Sequence, residues 1–359
     1  MTHKSRNLLT ALVFSTSALF AMQTHAAAEY TLNYAEIASD RGARAEALMW
    51  WADELKKRSD GRIEVDIHWS GALVKGPDIL KGVAAGLADT GTLVSPYFPA
   101  DMPLWTFGDV PFNEPDPWVA MHAWQEMRAA NPHLAAEAKD NGVKVLFSNA
   151  TGPNQLLCTE KVVDTQEKVK GTKMRMTGGY IPFFESLGAS VITTTGSELY
   201  QAMDRGIVEC AVWFTQYVPT YKLHEVADKL IMADLGQSST YGGGIGLDLF
   251  NSMPADLQQI VTQTSLEYMD RYSMNLLRDI EKAKVDLQAG IDGHVVELIP
   301  MDPQERERWK VHSKAALDDW KAKTGLSDKE ATAFVDQLEE LMAKYRKIRD
   351  EQGYPWQSN

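Results

Sequence analysis

The chain has 359 residues, with 49 acids against 36 lysines and arginines and a formal charge of −13. So acidic a chain repels phosphate backbones, which excludes nucleic acid as a partner, and any anionic ligand must be held by a local cation against the overall field. With two cysteines, and no zinc-type or redox pair, a Cys-based metal or redox site is excluded as well.

The chain opens with His3, Lys4 and Arg6, followed by an apolar run from Leu8 to Met22. Thr24-His25-Ala26 and Ala26-Ala27-Ala28 then supply small residues for cleavage. This three-part pattern is that of a secretory signal, and its apolar part is short for a membrane span. Residues 1–26 are therefore read as a signal peptide and the mature chain as periplasmic. Losing Lys4 and Arg6 with no acid takes the formal charge to −15. No later stretch has the ~20 apolar residues of a bilayer crossing. About 330 mature residues exceed what one core usually serves, so two lobes are expected.

Tyr30 to Ala35 reads as a strand. Ala45, Leu48, Met49, Ala52 and Leu55 recur at helical spacing between Arg41 and Arg58, and Asp60-Gly61 makes a turn. Ile63, Val65 and Ile67 alternate with charged residues as a half-buried strand should. Gly76-Pro77 opens a helix carrying Ile79, Leu80, Val83 and Leu87, and Thr90 to Val94 is the next strand. This β-α-β-α-β run implies a helix-covered parallel sheet.

Asp116-Pro117 starts a helix toward Lys139, broken or bent at Asn131-Pro132. After the strand Val143–Phe147 the lobe changes. Gln155 to Thr159, Thr172 to Met176, Ser190 to Thr193 and Ile207 to Val212 read as strands of a second sheet. Thr195-x-x-Glu198 is a capping box opening a helix over Ser197–Arg205, with Gly206 at its end. Gly242 to Gly246 reads as a tight backbone turn near the hinge. Pro254 to Ala289 contains no internal Pro or Gly; as one helix its 36 residues would span about 54 Å and brace both lobes. Ser327-x-x-Glu330 caps a last, charged helix. An oxidising compartment permits a Cys158–Cys210 bridge, but two buried thiols fit the sequence equally.

Three stretches carry a family likeness: Val169-Lys170-Gly171-Thr172-Lys173-Met174-Arg175-Met176 with Leu187-Gly188-Ala189, then Glu198 to Met203, then Gly206-Ile207-Val208-Glu209. Asp60-Gly61-Arg62-Ile63 through Gly82 to Asp89 adds a fourth. In order and spacing they resemble the solute-binding proteins of TRAP (tripartite ATP-independent periplasmic) transporters, of dicarboxylate-receptor type. The resemblance covers nearly all of the mature chain. It implies an α/β, two-lobed periplasmic binding protein with crossing hinge strands and a long helix spanning both lobes. The expected division is residues 27–150 plus about 237–275 for the first lobe and 151–236 plus about 276–325 for the second. Residues 326–359 form a C-terminal helix packing on the lobes.

The resemblance also implies a ligand anchor. In this family the arginine of the Lys-x-Arg strand grips the ligand carboxylate, and here that is Arg175. A guanidinium suits the task because its paired donors match two carboxylate oxygens and its charge is permanent. Arg175 is expected to be the sole fixed positive point of the site. Where many members have Asn after the later strand, this chain places Trp213, with Phe214 and Tyr217 nearby. Where some have a second arginine, it has Asn154 and Gln155, which offer neutral hydrogen bonds. A site with so few polar groups should not desolvate a second carboxylate, so a monocarboxylate (hydroxy, keto or aromatic) is expected.

Further cleft candidates are Glu36 at the end of the first strand, Trp69 before Ser70-Gly71, and Tyr97 in an aromatic loop with Trp105 and Phe107. Tyr180 is another, at a helix start where free N–H groups favour anions. The plain alternatives are Glu36 as an exposed turn acid and Tyr97, Trp105 and Phe107 as rings that pack their loop down.

Enzymes are the minority reading. G-x-S-x-G and H-E-x-x-H are both missing, and the eight histidines are scattered. No catalytic residue, metal or other cofactor is expected. The expected partners are a small organic acid and the small and large membrane subunits of a TRAP transporter, with the protein itself monomeric. A sensory co-receptor and a periplasmic enzyme on a similar scaffold are the alternatives.

Overall fold

A computed structural model describes residues 28–357, and the expected signal peptide lies outside the described residues. Four strands come first: β1 (Tyr30–Ala35), β2 (Ile63–His68), β3 (Thr90–Val94) and β4 (Val143–Asn149). The chain then crosses to a second sheet for β5 (Asn154–Cys158), β6 (Lys173–Arg175), β7 (Ser190–Ile192), β8 (Cys210–Phe214) and β9 (Lys229–Met232). It returns for β10 (Tyr241–Gly246) and crosses again to end in β11 (Glu297–Pro300). The sheet orders are β2-β1-β3-β10-β4 and β11-β9-β5-β8-β6-β7. These are the two lobes.

Both crossings run side by side. Thr151 N donates to Ser238 O at 3.0 Å, Asn154 N to Gly236 O at 2.6 Å, and Pro153 faces Gln237 in an antiparallel bridge. Crossing strands of this kind give the two lobes a common hinge. The helix Ala255–Ala289 supplies the third connection. Its 35 residues extend about 52 Å. Leu257, Val261, Tyr268, Tyr272 and Leu276 from this helix sit in the first lobe's core, and Leu287 sits in a core of the second.

Local chemistry explains where the helices begin and end. Asp116 accepts from Val119 N at 3.0 Å ahead of Pro117. Asn131 ends that helix and caps the next, accepting from His133 N and Leu134 N, both at 3.1 Å, with Pro132 unable to continue the ladder. Both expected capping boxes are present. In the second lobe the pleat divides two cores. Cys210 and Val212 face one, Ala211 and Trp213 the other, so helices cover both faces.

Several expectations need correcting. The strand read at Ile207–Val212 begins at Cys210, because Ile207 N and Val208 N bond back to Ala202 O and close the preceding helix. Trp213 and Phe214 are thus strand residues. Leu87 is not on a helix: that helix ends at Ala84, and Leu87 is 70% exposed. Gly242–Gly246 is no turn but most of β10, the strand that lies antiparallel between β3 and β4. Its glycines are needed for room. A Cβ on Gly242 would lie 2.1 Å from the Phe147 carbonyl oxygen, and one on Gly243 2.2 Å from the Phe147 ring. The C-terminal helix Asp328–Gln352 packs through Phe334, Leu338 and Met342 on the first core. Cys158 and Cys210 face each other across β5 and β8 and are bonded, S–S 2.09 Å.

Candidate functional site

A cavity of about 100 Å³ lies between the lobes. The first lobe and hinge contribute Arg44, Tyr97, Asp109, Thr240 and Tyr241 to its wall; the second contributes Arg175, Trp213, Phe214, Tyr217 and Tyr221. A neighbouring hollow, between Ser70–Pro77 and Thr195–Glu198, shares Tyr97, Gly196 and Tyr221 with it. Tyr97 Oη accepts from Gly196 N at 3.5 Å, joining the lobes across this boundary.

Arg175 ends β6, and its side chain is held from one side. Nε and Nη2 both donate to the Thr194 carbonyl, at 3.0 and 2.7 Å, and no described residue accepts from Nη1. The guanidinium carbon lies 5.4 Å from the centre of the Trp213 ring, a cation–π arrangement. Burial presses the Arg175 pKa down, partly opposed by Tyr97, Tyr221, Asp109 and Glu198. It remains a cation, since a guanidinium does not deprotonate in this range.

Asp109 stands near it, 1% exposed. Thr240 Oγ1 donates to its Oδ1 at 3.1 Å, and Ser238 also bonds its side chain. Desolvation by burial pushes its pKa up to about 7, against the pull of those hydroxyls and of Arg175. Gly178 and Gly179 make space for it, since a Cβ on Gly178 would meet Asp109 Oδ2 at 2.1 Å.

Aromatic rings make up part of the remaining wall. Trp213 lies 5.4 Å from Phe214 and 5.3 Å from Tyr221 between ring centres, and Phe214 lies 5.6 Å from Tyr217. Such a surface suits a flat or short apolar body.

The structure brings Arg175, Trp213, Phe214 and Tyr97 to one cavity, and leaves the other candidates off its wall. Asn154 Nδ2 donates to Tyr180 Oη at 2.6 Å, and Tyr180 donates to Leu235 O, a chain of donors that holds β5 beside the hinge. Gln155 is bonded to Asp234. Trp69 packs against the first core, as do Trp105 and Phe107. Glu36 is no exposed turn acid: it is 0% exposed and paired with Arg44 at 3.2 Å, one layer behind the wall. The expectation of a single fixed cation also fails, because Arg44 lines the cavity too.

Arg44 and Asp109 escaped the sequence reading. One signal for Arg44 was available: a cation in the first turn of the helix Ala43–Arg58 opposes the helix dipole and so calls for another reason to be there. Asp109 sits in a short 3-10 turn and carries no pattern that marks it.

The chain matches the family described as bacterial extracellular solute-binding protein, family 7, over residues 34–324. It is 26% identical to a solute-binding protein of Sulfitobacter sp. over 313 residues, 84% of this chain and 90% of the relative. It is 24% identical over 227 residues to a monocarboxylate 2-oxoacid-binding periplasmic protein of Nostoc sp., covering 60% of each. Among solved structures, a marine-metagenome TRAP solute-binding protein specific for aromatic acids, bound to 3-hydroxybenzoate, superposes with a TM-score of 0.79. That match has 21% identity and covers 89% of this chain and 99% of the other. Among the described residues no helix is long and apolar enough to cross a membrane, and no group of three or more His, Cys, Asp or Glu side chains is placed to hold a metal ion.

Proposed function

We propose, from the premise that the chain belongs to the bacterial extracellular solute-binding protein family 7 and has the fold of TRAP solute-binding proteins, that it is a periplasmic receptor which captures a small organic monocarboxylate between its lobes and delivers it to the membrane subunits of a TRAP transporter. The observation that carries this reading is Arg175. Two of its five N–H donors are fixed by the Thr194 carbonyl, and it fronts a cavity lined in part by six aromatic rings. Such a guanidinium takes a carboxylate in a defined plane, and the rings cover the carbon skeleton. A 2-oxoacid in one relative and an aromatic acid in a structural neighbour are ligands of this chemistry.

The mechanism is hinge closure. An acid seated on Arg175 in the second lobe touches Tyr97 and Arg44 of the first, which shifts the population toward the closed form that the membrane subunits recognise. Transport then draws on an ion gradient, and the receptor itself turns nothing over and takes no cofactor. The test is a thermal-shift screen of the exported protein against organic acids, with Arg175→Ala alongside. Monocarboxylates should raise the wild-type melting temperature and leave the variant unmoved, and mass spectrometry should recover them unchanged. Equal stabilisation of the variant would refute Arg175 as anchor.

A further inference from the structure

The cavity has a second guanidinium, from the opposite lobe, and its charge is already cancelled. Arg44 Nη2 lies 3.2 Å from Glu36 Oε1. Glu36 is fixed in place: Oε1 also accepts from Ala38 N at 2.7 Å, and Oε2 from the Thr92 hydroxyl at 2.6 Å. Burial works against the Arg44 charge, but the Glu36 carboxylate supports it and a guanidinium stays ionised in proteins. Glu36 is the ion-pair partner of Arg44 among the described residues. The Tyr217 and Tyr241 hydroxyls both bond Tyr272 Oη, at 3.0 and 2.8 Å. Arg44 is the cation that the first lobe brings to the cavity wall.

We infer that Arg44 and Glu36 act as one neutral unit that reads an uncharged oxygen (hydroxyl, keto or carbonyl) on the ligand, remote from the carboxylate held by Arg175, and that Glu36 turns away a second carboxylate. This rests on the reading of Arg175 as the anchor. A guanidinium donates well to a neutral acceptor, and doing so leaves the local charge at zero. A second carboxylate would have to shed its water and enter a region where the cation is matched and a fixed anion stands behind it. Selection then comes from that repulsion as much as from the new hydrogen bond. The same contact ties the ligand to both lobes, so it also favours closure.

Two trios of acids test this by calorimetric titration of the exported full-length protein: benzoate, 3-hydroxybenzoate and isophthalate, and pentanoate, 4-oxopentanoate and glutarate. Within each, the remote position carries no oxygen, a neutral oxygen or a carboxylate. In wild type the neutral-oxygen acid of at least one trio should bind about tenfold or more tighter than its two companions, the scale of one hydrogen bond to a charged group. Arg44→Met should erase that preference while Arg175→Ala abolishes binding altogether. Glu36→Gln should let the dicarboxylate in. The double variant Glu36→Gln/Arg44→Met removes both charges together, leaving no buried ion unpaired, and serves if either single variant fails to fold; it should bind the plain and neutral-oxygen acids alike. A preference that survives loss of Arg44, with binding still lost in Arg175→Ala, overturns the inference and spares the anchor. Failure of wild type to bind any of the six overturns both.

Discussion

Thr194 offers one carbonyl oxygen to two nitrogens of Arg175, Nε at 3.0 Å and Nη2 at 2.7 Å. The carbonyl is itself set by the turn that follows β7, where the Thr194 hydroxyl donates to Glu198 at 2.6 Å. The plane of the guanidinium is therefore decided before a ligand arrives. Arg175→Lys should bind almost as poorly as Arg175→Ala, because an ammonium cannot hold Thr194 and a carboxylate in the same fork. Removing one partner of a buried charge pair costs roughly 2–5 kcal/mol, about 30-fold or more in affinity. Isothermal titration of both variants with the best acid of the screen would decide; near-wild-type affinity in the lysine variant would show that only charge matters.

Asp109 makes the protein's stability depend on pH. Burial raises its pKa from the ordinary 3.8 to about 7, so the folded state holds a proton that the unfolded state releases. Between those values the unfolded chain binds fewer protons, and stability must fall as pH rises through this window and level off above it. Asp109→Asn mimics the neutral acid. It should match wild type near pH 4 and exceed it at pH 8 by at most a few kcal/mol. Urea denaturation at the two pH values checks this, and a constant offset between the proteins would show that Asp109 does not titrate in the window.

A carboxylate seated on Arg175 should push the nearby Asp109 proton up further, since like charges resist sharing a site. Binding near pH 8 should then take up protons, and affinity should weaken from pH 6 to pH 8. Titration in two buffers of different ionisation enthalpy measures the uptake directly. Asp109→Asn should abolish both effects; uptake that persists in it would place the proton elsewhere.

The glycines of β10 set the spacing of the first lobe. Phe147 is wedged between Trp51 and Tyr268, with ring centres 5.7 and 4.0 Å away, and lies across Gly243. Gly243→Ala must displace a locked ring, and Gly242→Ala must displace a backbone carbonyl. Each should destabilise by about 2 kcal/mol or more, with Gly242→Ala the worse. Gly61, which has a positive φ but open space around it, is the control, and Gly61→Ala should cost about 1 kcal/mol. Equal effects at all three positions would mean that steric room is not why β10 is glycine-rich.

Those same glycines show how far the sequence could be read. Alternation in Ile63–Ile67, the unbroken run to Ala289 and the two capping boxes are local signals, and each predicted its element within a few residues. Gly242–Gly246 has a single side chain, Ile245, and so cannot alternate, and nothing local separates a strand packed under Phe147 from a turn. The site divides in the same way. Arg175 is legible because it ends a short strand within a recognisable phrase. The Glu36–Arg44 pair depends on β1 and the following helix folding against each other, and Asp109 depends on a loop of the first lobe reaching Gly178 in the second. Contacts made only by the assembled fold leave no periodic trace.

The Cys158–Cys210 bond closes a loop of 52 residues between two strands that already pair. In the chain-entropy account a loop of that length adds about 4 kcal/mol by restricting the unfolded chain, and 2–4 kcal/mol is the usual range. Both sulfurs are buried in the second lobe's core, and neither cysteine lines the cavity. Replacing both with serine should therefore lower the melting temperature by several degrees while leaving acid affinity within about twofold. Thiol titration in denaturant gives the direct check. Protein exported to an oxidising compartment should show no free thiol, and protein kept in a reducing cytoplasm should show two. Exported protein with two free thiols would mean that the facing cysteines stay reduced and that the second lobe is held by packing alone.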